Sequence, residues 1–105
     1  MKNVFTISEI MEANKNAGYH FFDKQTLHFF NSLILPTIYE GRFFITSEKD
    51  KYATNNVRKY TLREFLPEKS NIRTIGNYCE FETRRDAVSA LKKHIKQQTN
   101  EGTKQ

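Results

Sequence analysis

Imidazole, thiol and cationic side chains are the groups in this chain with the reach to do chemistry. Its imidazoles are His20, His28 and His94, and its one thiol is Cys79. Zinc sites draw on ligands that come in closely spaced pairs, because four bonds must converge on one ion. The three histidines stand in three separate segments without such pairing, so no metal site is expected. A lone cysteine excludes an intramolecular disulfide and fits a reducing compartment. Placed on a strand, Cys79 reads as a small buried apolar side chain rather than a nucleophile. No serine lies in a Gly-x-Ser-x-Gly turn, and Gly18, Gly41, Gly76 and Gly102 are too dispersed to cradle a phosphate. These observations predict a protein with neither catalytic activity nor a cofactor.

Cations remain, and they are unevenly spread. Residues 1–50 hold five Lys/Arg against six Asp/Glu, while residues 51–105 hold twelve against six, so the net charge of +5 belongs to the second half. Such an excess favours an anionic or acidic partner. Side chains alternate along a strand. If Phe43 and Ile45 face the core, then Arg42, Phe44 and Thr46 face away, and burying Tyr60 and Leu62 leaves Lys59, Thr61 and Arg63 on that same side. Arg73 or Thr74 joins them from a third strand. The expectation is an open sheet face on which Arg42, Lys59 and Arg63 surround Phe44, with cations for phosphates and a ring for an unpaired base. The plainer reading is that one side of the sheet is simply wet, and an acidic protein partner is a third. Arg84 and Arg85 form a second candidate site. Two cations in a first helical turn oppose the dipole at a cost of roughly 0.3–1 kcal/mol each, although Glu80, Glu82 and Asp86 stand ready to neutralise them. Lys92, Lys93 and Lys96 read as the solvated outer side of the same helix.

The elements that position these residues follow from caps and periodicity. Thr6 caps a helix over about 7 to 17, with Glu9 completing a capping box, Phe5 and Ile10 as a staple, and Gly18 ending it. Ile7, Ile10, Met11, Ala13 and Ala17 make its apolar stripe. Tyr19 to Asp23 reads as a short strand, and Lys24 to Asn31 as a short helix capped by Asp23. Leu33-Ile34-Leu35 stops at Pro36. Period-two patterning then marks strands at Thr37–Ser47, Val57–Phe65 and Ile72–Phe81, joined by polar connections as an antiparallel meander. Ile72 and Ile75 cannot share a face in an unbroken strand, so a bulge is expected near Gly76. Thr83 opens a last helix over about 84 to 97, with Ala87, Val88, Leu91 and Ile95 on one face.

The fold class is therefore α+β. It is a three-stranded antiparallel sheet, with room for a short fourth strand, carrying the N-terminal and C-terminal helices on one face. Residues 1–98 form a single domain. Residues 99–105 lack an apolar anchor and read as a disordered tail. With 105 residues, nine Phe and five Tyr, the chain has the material for one modest core. No apolar run follows Met1 and Lys2, and no stretch approaches the length of a membrane span, so export, anchoring and a membrane partner are not expected.

The succession Ala17-Gly18-Tyr19-His20-Phe21-Phe22-Asp23, Phe29-Phe30-Asn31-Ser32, Phe43-Phe44-Ile45-Thr46-Ser47-Glu48, Arg58-Lys59-Tyr60-Thr61 and Phe81-Glu82-Thr83-Arg84-Arg85 resembles a family of small uncharacterised proteins from phages, plasmids and integrative elements. The resemblance implies a cytoplasmic accessory protein of a mobile element. That class includes DNA-handling factors and inhibitors of host defence, anti-CRISPR and anti-restriction proteins among them. The expected function is a non-catalytic protein that binds a host protein or protein–nucleic-acid complex and modulates a nucleic-acid-directed system. Direct binding of DNA or RNA is the alternative.

Overall fold

In the computed structural model, which describes residues 4–49 and 58–103, the first helix α1 (Ile7–Asn16) starts through a complete capping box. The Glu9 amide donates to Thr6 Oγ1 at 3.2 Å, and the Thr6 amide donates to Glu9 Oε1 at 2.9 Å. Gly18, at φ +88°, lets the chain turn away after the last turn. The buried side of α1 is narrower than the apolar stripe. Ile10 and Asn14 are fully enclosed, whereas Met11 remains partly exposed. Asn14 earns its burial by donating Nδ2–H to the Ser70 carbonyl at 3.0 Å.

The segment after α1 forms a turn rather than the expected strand, and α2 (Lys24–Phe29) follows. Asp23 precedes α2 without a side-chain cap bond, because its carboxylate instead meets His20 Nδ1 at 2.8 Å. Four strands then run as an antiparallel meander: β1 (Leu33–Tyr39), β2 (Phe43–Lys49), β3 (Arg58–Leu66) and β4 (Asn71–Ile75). The α+β architecture is the expected one, with the sheet at four strands.

The single strand expected over Thr37–Ser47 is instead the end of β1 and most of β2, with a turn between them. Glu40 and Gly41 both adopt positive φ, +53° and +63°, the signature of a tight hairpin whose twist matches its strands. Pro36 sits inside β1 after all, because β1 is an edge strand and its pairing with β2 shifts between Ile34 and Ile38. The bulge expected near Gly76 is absent. β4 pairs with β3 in unbroken register, Phe65 opposite Ile72 and Leu62 opposite Ile75, and ends before Gly76. Ile72 and Ile75 lie on opposite faces, and each finds cover because both faces of the sheet are packed.

That double covering is the main departure from expectation. On one face, Phe43, Ile45, Leu62 and Ile75 pack against Ala87 and Leu91 of the last helix, α3 (Arg84–Thr103). On the other, Phe21 and Phe22 stack over Phe44, with centroids 6.4 and 6.2 Å away, and Phe5 meets Phe65 edge-on at 5.0 Å. The N-terminal aromatic segment therefore goes to the face opposite α3, rather than the two helical ends sharing one. Phe21 and Phe22 are too apolar to leave in water when an uncovered sheet face is within reach. The α3 helix continues to Thr103, beyond the expected end near 97. The polar connection expected between the strands at Thr37–Ser47 and Val57–Phe65 lies largely outside the described residues.

Candidate functional site

Alternation along β2 and β3 places Phe44, Thr46 and Glu48 beside Arg63, Thr61 and Lys59 on the face away from α3. The side assignment inferred from the sequence therefore holds, but the face is not open. Phe44 is 0% exposed and Arg63 only 9%. The proposed platform does not exist as a solvent surface. In its place is a buried polar network under an aromatic roof.

Arg63 is the centre of that network. Its Nε–H donates to Thr46 Oγ1 at 3.0 Å and its Nη1–H to Thr74 Oγ1 at 2.6 Å, while Nη2 stands 3.5 Å from Glu48 Oε2. Glu48, itself 0% exposed, accepts from Thr61 Oγ1 at 2.8 Å and from Ser32 Oγ at 2.9 Å. A carboxylate this deep must have each oxygen bonded, and two hydroxyls and a guanidinium do so here. The guanidinium carbon lies 5.1 Å from the Phe21 ring centroid and 5.8 Å from that of Tyr78, within cation–π range of both. Burial lowers the Arg63 pKa from its ordinary value, opposed by the charge of Glu48. The group stays a cation, held by partners rather than by water.

Beside this guanidinium is a cavity of about 230 Å³. Phe21, Phe30 and Tyr78 supply its rings, Leu27 an aliphatic wall, and Thr26 and Ser32 hydroxyls. Its mouth is apolar: Tyr78 is 49% exposed and Phe30 41%, their rings 6.2 Å apart, with Phe29 edge-on to Phe30 at 4.9 Å. Desolvation, and then the neighbouring Cys79 and Glu48, push the Tyr78 phenol up to about 12, so it is a neutral donor at physiological pH. The residues that aim the two rim rings are held in left-handed backbone, Asn31 at φ +49° next to Phe30 and Cys79 at φ +56° next to Tyr78. For Cys79 that conformation costs roughly 1–2 kcal/mol, offset in part by its amide donating to Thr61 Oγ1 at 2.9 Å. A wider depression of about 600 Å³ between α1 and α2 mixes Glu12 and Asp23 with Lys15 and Lys24 and encloses no charged side chain.

Of the site residues expected from sequence, the structure brings Phe44 and Arg63 together, with Lys59 at the far end of the same face opposite Glu48. Arg42 sits half-buried in the β1–β2 turn, its Nε enclosed without a hydrogen-bond partner. Arg73 belongs to the other face, where its Nε bonds Glu64 Oε1, and Thr74 takes the place on the cavity side. Arg84 and Arg85 are exposed at the start of α3, on the far side of the sheet from the cavity, beside Val88, Ser89 and Lys92. Glu48, Ser32, Phe21, Phe30 and Tyr78 were not foreseen. The signal available was the Phe21-Phe22 doublet, which requires a surface to cover.

The chain belongs to a family of unknown function, DUF7447, whose model matches residues 6–92. No curated protein and no solved structure matches it. The DUF7447 span runs from the Thr6 cap to Lys92, and so contains the whole cavity and the exposed start of α3. Among the described residues, no helix is long and apolar enough to cross a membrane, and no group of three His, Cys, Asp or Glu is placed to hold a metal ion.

Proposed function

We propose that the protein is a non-catalytic binding factor in a nucleic-acid-directed system, and that its working site is the Arg63 cavity with its aromatic rim. One observation carries this reading: a nine-tenths-buried guanidinium, within cation–π range of two rings, opens onto a cavity whose mouth is lined by exposed aromatics. A side chain kept only for stability has little reason to be charged there, since a buried ion pair is often no better than apolar residues of the same volume. Exposed Phe and Tyr at one rim are also what a recognition surface concentrates. The cation excess of the second half supports an anionic or nucleic-acid-bearing partner, and Arg84, Arg85, Lys92, Lys93 and Lys96 of α3 display it on the opposite side of the molecule.

The narrower reading is an accessory protein of a phage or other mobile element that inhibits host defence from the host cytoplasm, in the manner of an anti-CRISPR or anti-restriction protein. Its support is the resemblance of the sequence alone. Affinity capture from a host lysate, with and without nuclease, tests both levels. The expected result is a partner retained by the wild-type chain and lost by Tyr78→Ala. Equal capture by the variant contradicts the assignment of the site.

A further inference from the structure

We propose that the cavity beside Arg63 takes an unpaired nucleobase that presents a hydrogen-bond acceptor edge. The proposal rests on the reading of this cavity as the working site and names its occupant.

Three observations select that chemistry. Ligand pockets for drug-sized molecules span roughly 300–1,000 Å³, so a cavity of about 230 Å³ suits a single flat ring system. Three of its lining residues are aromatic, Phe21, Phe30 and Tyr78, an apolar surround that suits a flat ring rather than a polar, spherical ligand. The polar group inside is a guanidinium with five N–H donors, three of which are engaged by Thr46, Thr74 and Glu48. Two donors remain for an occupant, and adjacent acceptors on one edge, as on guanine O6 and N7, match a guanidinium best.

Charge decides against the competing anions. A phosphate or carboxylate would meet a cation already compensated by Glu48 at 3.5 Å and would bring a second negative charge close to that fully buried carboxylate. A neutral ring with an acceptor edge gains the donors without that repulsion. Amide side chains have the acceptor but not the faces, and Phe has the faces but not the acceptor. The backbone attached to such a base has cations to follow. Arg58 reaches the carbonyl of Asn31, between the cavity residues Phe30 and Ser32, and Lys59 is its neighbour on β3.

The test uses the whole chain and defined probes: guanosine monophosphate, ribose 5-phosphate, and a short mixed-sequence DNA as single strand and as duplex. NMR is expected to show the nucleotide shifting ring signals of Phe21, Phe30 and Tyr78, while ribose 5-phosphate leaves them in place. The single strand should bind at least tenfold tighter than the duplex, and Phe30→Ala/Tyr78→Ala should lose at least tenfold of that affinity. Both replaced residues are substantially exposed, so the variant keeps the fold, which its amide spectrum confirms. Ribose 5-phosphate reproducing the nucleotide shifts, a duplex binding as tightly as the strand, or no response at millimolar nucleotide each overturns the proposal. Capture from lysate separates the two levels. If the double variant loses its partner while nucleotide and strand leave the cavity untouched, the site stands and its occupant is a protein side chain. If the nucleotide binds but capture ignores the variant, the nucleobase stands and the working-site reading falls.

Discussion

Glu48 Oε2 lies 3.5 Å from Arg63 Nη2 across two neighbouring strands, the carboxylate fully enclosed and the guanidinium nine-tenths so. Each is bonded instead to hydroxyls, Ser32 and Thr61 for the carboxylate, Thr46 and Thr74 for the guanidinium. The sheet thus carries an ionic layer where a purely structural face would be apolar.

Breaking that layer from one side is expected to be costly. Glu48→Gln leaves Arg63 buried and uncompensated, which typically destabilises by about 3–5 kcal/mol. Urea unfolding should show the midpoint falling by a corresponding amount at unchanged slope. The double replacement Glu48→Met/Arg63→Met should recover most of the loss, because it removes both charges together. A single variant within about 0.5 kcal/mol of wild type contradicts the pairing.

The Tyr78 phenol, pushed up to about 12 against an ordinary value of 10.0, makes an alkaline prediction. A folded-state value above the unfolded one stabilises the fold in full below pH 10. That contribution is lost as pH rises toward 12, because the unfolded chain releases the proton first. Absorbance titration at the tyrosinate band should therefore show a late component from Tyr78. Tyr78→Phe should remove it. A difference between wild type and Tyr78→Phe that titrates at the ordinary value of 10.0 contradicts the partly desolvated setting of this phenol.

Gly41 and Gly76 should respond differently to alanine. Both have positive φ, so each substitution carries a backbone cost of roughly 1–2 kcal/mol. At Gly41 an added Cβ would also come within 2.6 Å of the Val4 Cα and 2.7 Å of the Phe5 nitrogen, and backbone cannot swing aside. At Gly76 its close neighbour is the Glu80 carboxylate at 2.5 Å, which can rotate away at the loss of its bond to the Asn77 amide. Denaturant midpoints should fall further for Gly41→Ala than for Gly76→Ala. The reverse order contradicts the close seating of the N-terminal segment on the hairpin.

Thr6→Ala removes the oxygen that accepts from the Glu9 amide, at an expected 0.5–2 kcal/mol, or about 1 in the usual case. An unchanged midpoint would mean that α1 contributes nothing to global unfolding.

What was legible in the sequence was local. Thr6 with Glu9 marked the start of α1, and alternation put Phe44 and Arg63 on one side of the sheet and Phe43 and Ile45 on the other, as observed. Alternation does not say whether a polar-looking face is wet. Thr46, Glu48, Thr61 and Arg63 look like a solvated face in sequence, and become an enclosed network only because Phe21 and Phe22 fold over Phe44 from a segment more than twenty residues away. The hairpin at Glu40 was missed for a related reason. A non-glycine residue in the left-handed region gives no compositional sign when only Gly41 beside it is a turn former. Tyr78 was hidden inside a strand drawn to Phe81, whereas the positive φ of Gly76 ends β4 and releases a loop that brings the ring over Arg63.

On the proposed function, the Arg63 cavity, not the basic side of α3, is where this protein meets its partner. The most direct measurement compares partner affinity for Phe30→Ala/Tyr78→Ala with that for Arg85→Ser/Lys92→Ser/Lys96→Ser, both changed only at exposed positions. A loss of at least tenfold is expected for the first variant and no more than a modest, salt-sensitive change for the second. Wild-type affinity in the cavity variant, together with loss in the α3 variant, would contradict it and move the working surface to the other side of the sheet.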